Sequence, residues 1–172
     1  RFKLRGKLQK QATTIKTQGN HPRAWKRNQC RADGEGISFL IYQIAPDVND
    51  DEIKKISDVL IGNEVEAVII SNTSNATREK LIDIQKYQKG GLSGKPIEDK
   101  SNLLINKFYK LLKNKIKIIG VGGVDSGMSA YNKFLAGAHY IQLYTGMVYK
   151  GPNIVNAIKN DLGKLLIEEG VK

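Results

Sequence analysis

Cysteine is almost missing from this sequence. Cys30 is the only one in 172 residues, and a lone thiol can form neither an internal disulfide nor a thiolate-rich metal site. Such usage fits a reducing compartment, and the expectation is a cytoplasmic protein. Histidine is nearly as scarce: His21 and His139 are far apart and lack ligand spacing, so no metal site is expected. No stretch approaches the ~20 apolar residues of a membrane-spanning helix. The basic residues at the N-terminus lead into no continuous apolar region, which excludes the pattern of a signal peptide. Acidic residues are also short, 17 against 28 Lys and Arg for a net charge of +11, but the shortage is local. Residues 1–36 hold ten Lys and Arg against Asp33 and Glu35, and so account for +8 of the +11. The excess is that of a leader and not of a folded body with a basic face. Nucleic acid is therefore not an expected partner of the body. Binding of nucleic acid by the leader is the alternative to plain solvation of that segment.

The leader has scattered apolar residues (Phe2, Leu4, Leu8, Ala12, Ile15, Ala24, Trp25) with no sustained period of two or 3.6, and it reads as irregular. From Gly36 onward strand and helix signals alternate. "ISFLIYQI", Ile37 to Ile44, reads as a buried strand. Asn49 is placed to cap the next helix, with Glu52 three residues on and an apolar face of Ile53, Ile56 and Leu60. "EAVIIS", Glu66 to Ser71, is a second strand, followed by a long polar connection from Asn72 to about Gly94. Leu104, Phe108, Leu111 and Leu112 mark a helix, "IKIIGV" (Ile116 to Val121) a third strand, and Ser126 opens a helix bearing Ala130 and Phe134. "YIQLY", Tyr140 to Tyr144, is the fourth strand, and Ile154, Ile158, Leu162 and Leu165 give the last helix one apolar face. Four βα units in succession predict an α/β fold of parallel strands joined by right-handed crossovers.

In such a fold ligands gather at the carboxyl ends of the strands, where loops and helix N-termini present backbone N–H groups. Each strand here ends on residues suited to a polar ligand: Gln43, then Ser71, Asn72 and Thr73, then Gly122 and Gly123, then Tyr144 and Thr145. Glycines let the backbone approach a phosphate closely, and a helix dipole favours the negative charge. Each signal has a plain counterpart. A Gly-Gly after a strand is also an ordinary turn, the hydroxyls can bond the loop beside them, and "KGGLSGKP" (Lys89 to Pro96) also reads as a flexible loop tip. It is their recurrence at several strand ends that points to a phosphate cradle.

Five motifs in order, "QIAPDVNDDEI" (Gln43 to Ile53), "IISNTS" (Ile69 to Ser74), "GGLSGKP" (Gly90 to Pro96), "IIGVGGVDSGMSAYNKFLAGA" (Ile118 to Ala138) and "IQLYTGMVYKGP" (Ile141 to Pro152), resemble the C-terminal half of dihydroorotate dehydrogenase. That family comprises FMN-containing (β/α)8 barrels of pyrimidine biosynthesis, and the "IAPD" and "QLYTG" wording resembles its quinone-linked class 2 branch. The resemblance covers about Leu40 to Glu168. It implies that Gly122, Gly123, Tyr144 and Thr145 cradle the FMN phosphate, that Ser71 and Gly94 approach the flavin, and that Asn72 and Thr73 hydrogen-bond orotate or dihydroorotate. Quinone is the implied second substrate, and peripheral membrane association is implied for the intact family.

Two departures accompany the matches. Gln43 stands where the family has a lysine whose charge favours the reduced anionic flavin. An amide supplies no such charge, and the loss is expected to cost several kcal/mol of transition-state stabilisation. The family's serine base and first strands belong to an N-terminal half that the resemblance does not reach, although "LRGKLQK" (Leu4 to Lys10) resembles sequence just after that serine. No catalytic base is therefore assigned. The expectations are a basic irregular leader over residues 1–36 and an FMN-binding half of a TIM barrel over residues 37–172, as a fragment with impaired catalysis. Four βα units cannot close an eight-stranded barrel, so a homodimer or a complementary N-terminal half is the expected partner. A noncatalytic FMN- or phosphate-binding protein is the alternative.

Overall fold

A computed structural model of the protein describes residues 28–32, 35–39, 41–76, 78, 81–84 and 86–170. Two sheets are present among them. Strands β1 (Asn28–Ala32) and β2 (Glu35–Phe39) form an antiparallel hairpin. Strands β3 (Ile41–Ile44), β4 (Ala67–Ile70), β5 (Lys117–Val121) and β6 (Tyr140–Gln142) form a parallel sheet in the order β3-β4-β5-β6. The single strand expected over Ile37 to Ile44 is thus two. Its first part belongs to the hairpin and its second part opens the parallel sheet. Apolar periodicity is the same on both sides of that break, so only pairing separates them. The hairpin crosses the boundary drawn at Gly36, and residues 1–27 of the leader lie outside the described residues.

The four βα units otherwise follow from local chemistry. Helix α1 (Asp50–Gly62) starts at Asn49, whose side chain accepts from Glu52 N–H at 2.9 Å while Glu52 accepts from Asn49 N–H at 3.2 Å. This reciprocal cap satisfies two donors that a helix start leaves free. The loop after β4 is pinned by the Ser74–Leu92 bridge and passes through a 3₁₀ turn, Lys95–Ile97, into α2 (Glu98–Leu112). Helix α3 (Gly127–Ala136) opens on a second reciprocal cap, between Ser126 and Ser129. After β6 come a short α4 (Thr145–Lys150) and then α5 (Ile154–Glu168).

Helices cover one face of the sheet. Ile44, Val68, Ile70 and Ile118 from the strands meet Ile53, Ile56 and Leu60 of α1 and Leu104, Ile105, Phe108 and Leu112 of α2 in one buried cluster. Leu111, expected on that face, is turned outward and 37% exposed, because it lies off the stripe that Leu104, Phe108 and Leu112 define. Phe134 is likewise partly exposed, and Ala130 alone of that pair is buried. A smaller cluster of Val124, Ala130, Ile154 and Ile158 holds α3 and α5 together beneath β6. The sheet is therefore fixed from one side, and its carboxyl ends are left to build a site.

Candidate functional site

The loops leaving β3, β4, β5 and β6 enclose one cleft of about 590 Å³. Gln43, Ser71, Asn72, Thr73, Gly94, Gly122, Gly123, Tyr144 and Thr145 all line it. The structure thus brings together at one end of the sheet every residue singled out from the sequence. Ser93, Gln142 and Gly146 also line the cleft and were not singled out. Ser93 had a signal, since it is the hydroxyl within "GGLSG", and it accepts a hydrogen bond from Thr145 Oγ1 at 3.0 Å. Gln142 and Gly146 had none beyond adjacency to Tyr144 and Thr145.

Backbone bonds hold the strand ends in register. Ser71 N–H donates to Val121 C=O at 3.2 Å, and Asn72 N–H donates to Ile44 C=O at 2.8 Å. The Ile70–Ser71 peptide, which carries the first of these N–H groups, is cis. Ser71 is 1% exposed, and its hydroxyl has no hydrogen-bond partner among the described residues. A buried hydroxyl without a partner costs about 1–3 kcal/mol, so this atom calls for a ligand group at the floor of the cleft. Thr73 N–H meets Asn72 Oδ1 at 2.7 Å, which leaves the Asn72 amide NH₂ as a donor. Tyr144 is 78% exposed, and its backbone forms the cap of α4.

The glycines are fixed by neighbours as well as by backbone conformation. Gly123 has φ +79°, and a Cβ there would lie 2.4 Å from Glu98 Cβ. Gly94 has φ +78°, and its Cβ would approach Thr145 Cγ2 at 2.9 Å. Side chains at either position would push the 3₁₀ turn, the β5 loop and α4 apart. The small residues thus let three segments meet around one concave wall. Next to Gly94, Lys95 contacts Glu98 at 2.5 Å and Asp125 at 3.8 Å, while Lys150 lies 3.7 Å from Asp125 and donates to its backbone carbonyl at 2.9 Å.

Asp47 ties the outer loops down. Its carboxylate accepts from Lys100 Nζ at 2.5 Å, Ser74 Oγ at 2.7 Å and Asn75 N–H at 2.8 Å. Burial alone would raise its pKa, but these three hydrogen bonds and the Lys100 charge hold it below the ordinary carboxylate value. This junction joins the end of β3 to the loop after β4 and to α2. Among the described residues no cluster of three or more His, Cys, Asp or Glu is disposed to hold a metal ion, and no helix is long and apolar enough to cross a membrane.

A seat of this kind fits FMN in three respects: glycine-lined backbone near a helix start for the phosphate, an unpartnered buried hydroxyl, and amide and hydroxyl groups on the adjoining wall.

The family model for dihydroorotate dehydrogenase matches residues 3–166, and so reaches into the leader beyond the Leu40 at which the motif resemblance starts. Dihydroorotate dehydrogenase (quinone) of Idiomarina loihiensis is 44% identical over 123 residues, covering 72% of this chain and 36% of that protein. The protein of the same description from Rhodospirillum rubrum is 37% identical over 131 residues, covering 76% of this chain and 36% of the relative. Among solved structures, DHODH of Eimeria tenella in complex with ferulenol superposes with a TM-score of 0.77 at 32% identity, covering 81% of this chain and 37% of that one. The ligand-free form from the same organism gives 0.76 at 33% identity. The chain spans 36% of the length of each of these two curated relatives.

Proposed function

The chain belongs to the dihydroorotate dehydrogenase family, and on that premise we propose that its cleft is the flavin-phosphate and substrate wall of a quinone-linked dihydroorotate-oxidising flavoprotein. The observation that carries this reading is the convergence of eight residues from four strand ends, with Gly94 of the loop after β4, on one cleft, with the Ser71 hydroxyl buried and unpartnered.

Gly122, Gly123, Tyr144 and Thr145 hold the FMN phosphate through backbone N–H groups and the Thr145 hydroxyl, and Ser71 and Gly94 lie against the flavin. FMN, when bound, supplies the hydride acceptor for C6 of dihydroorotate. Asn72 and Thr73 orient the substrate by its amide and carboxylate edges. The C5 proton leaves to a base outside these four βα units, since no residue of this wall is assigned that role. Gln43 can donate a hydrogen bond toward the flavin but adds no positive charge, so turnover is slower than a lysine at this position would allow. Quinone would be the second substrate, as the name of the quinone-linked relatives implies. A complementary half-barrel, or a second copy of the chain, covers the open side of the sheet. In the intact enzyme the protein works in the cytoplasm at a membrane surface.

The test is direct. The purified chain, mixed with FMN and desalted, should retain yellow flavin absorbance, and dihydroorotate-dependent dye reduction should be weak without an added N-terminal half. Loss of all flavin on desalting, with no protection of the fold by FMN, would refute the assignment of the cleft. Retained flavin with no reduction even when the other half is supplied would favour the second reading, a flavin-binding protein without catalysis, which the uncharged Gln43 supports.

A further inference from the structure

One buried charge is not used by this account. Lys133, on α3, is 0% exposed and is among the largest fully buried side chains of the protein. Among the described residues no carboxylate comes within ion-pair distance of it. Its ammonium donates to two neutral oxygens of α2, Asn102 Oδ1 at 2.8 Å and Ser101 Oγ at 3.2 Å. Burying an ammonium costs several kcal/mol where it is only partly compensated, and a methionine would fill the same space without that cost. The stem has room because β5 carries a glycine beneath it: a Cβ on Gly120 would lie 3.0 Å from Lys133 Cδ. The position is therefore built around the lysine and not merely tolerant of it.

The second acceptor leads to the cleft. Ser101 Oγ, receiving from Lys133, donates in turn to Val121 C=O at 2.5 Å. The same carbonyl accepts Ser71 N–H at 3.2 Å. Val121 is the last residue of β5, and Gly122 and Gly123 follow it. A trans peptide is planar, with its C=O and N–H opposed. Fixing the Val121 carbonyl toward Ser101 and Ser71 therefore fixes the Gly122 N–H on the opposite, β6 side of the strand. Ammonium donation polarises the serine hydroxyl and strengthens its own donation to the carbonyl.

We propose that Lys133 is a positioning residue for the anion seat: through Ser101 it locks the Val121–Gly122 peptide so that the Gly122 amide faces the phosphate. The inference rests on the reading of the cleft as a flavin-phosphate site. The charges facing Lys133 are those of Glu98 and Asp99, which favour its protonation, and of Lys95, which opposes it.

The experiment uses the full chain and FMN itself. Lys133→Met and Ser101→Ala should each weaken FMN binding, read from flavin fluorescence, roughly tenfold, as for one well-placed hydrogen bond. The unfolding midpoint of each ligand-free variant should stay within a few degrees of the parent, and the phosphorus-31 resonance of bound FMN should move. The double variant should bind no more weakly than either single one, because both act on one carbonyl. Unchanged affinity and resonance in both variants would overturn the proposal, as would losses that multiply in the double variant. Affinity that falls only in step with a lowered ligand-free midpoint would also overturn it, assigning Lys133 to the fold alone. If Lys133→Met fails to fold, the smaller Ser101→Ala change decides. A parent chain that binds no FMN defeats the underlying reading and this inference with it; a parent that binds beside indifferent variants defeats only the role of Lys133.

Discussion

At the scale of single residues, the cleft gathers groups whose energetic state is set by their neighbours. Asp47 is the tightest case, with one carboxylate serving three donors from two segments, the loop after β4 and α2. Asp47→Asn should cost about 1–3 kcal/mol by breaking a charged hydrogen-bonded junction, read as a lowered midpoint in urea unfolding. Because the folded state holds its pKa below 3.8, its contribution is complete above that value and disappears as pH falls through the lower, folded one. Lys133 has the opposite history: burial, its main influence, lowers its pKa from 10.5 to about 8, against the pull of Glu98 and Asp99. The unfolded chain binds the proton more readily, so stability should rise as pH climbs from about 8 toward 10.5. Lys133→Met should flatten that rise in pH-dependent thermal melts. Gln43→Lys places a charge beside the proposed flavin, and dye equilibration should show a higher flavin midpoint potential than in the parent.

At the scale of elements, the helix starts and strand ends carry the stability of the site. Asn49→Ala removes the side-chain half of a reciprocal cap, leaving only the backbone N–H of residue 49 to donate to Glu52, and should cost about 1 kcal/mol, visible as a lower thermal midpoint. Gly123→Ala combines a left-handed backbone with a collision against Glu98 on α2. Overpacking of this kind costs about 1–3 kcal/mol, and displacement of the β5 loop should weaken flavin retention alongside the loss of stability. At the other end of β5, His139 Nδ1 accepts from Ile118 N–H at 3.1 Å, so the ring is the neutral form that carries its proton on Nε2, facing Asn114 Oδ1 at 3.2 Å. Burial and the Lys117 charge lower its pKa below 6.5. The stabilisation it gives is therefore complete above 6.5 and is lost as pH falls toward the folded value.

At the scale of the whole molecule, the parallel sheet is covered by helices on one face and has β3 and β6 as its outer strands among the described residues. Open parallel edges invite pairing, in keeping with the proposal that a second copy or a complementary half completes the barrel. Saturating FMN should stabilise the chain by mass action, by about 2.7 kcal/mol at a hundredfold excess over Kd. The thermal midpoint should therefore rise with the logarithm of FMN concentration, and riboflavin, which lacks the phosphate, should raise it less.

Much of this molecule could be read from the sequence because its determinants are local. Asn49 with Glu52, and Ser126 at the head of α3, set helix starts by hydrogen bonds spanning three residues. Alternating strand and helix patterns gave the four βα units, and the strand-end residues followed from their position in each unit. What local pattern could not carry was pairing and depth. The division of Ile37 to Ile44 between two sheets depends on partners at residues 28–32 and 67–70. The junction at Asp47 joins residues 27, 28 and 53 positions away. The burial of Lys133 over Gly120 arises only when α2, α3 and β5 close on one another. Periodicity fixes which residues turn inward on an element, but the energy of a buried charge or a shared carbonyl exists only once distant segments exclude water together.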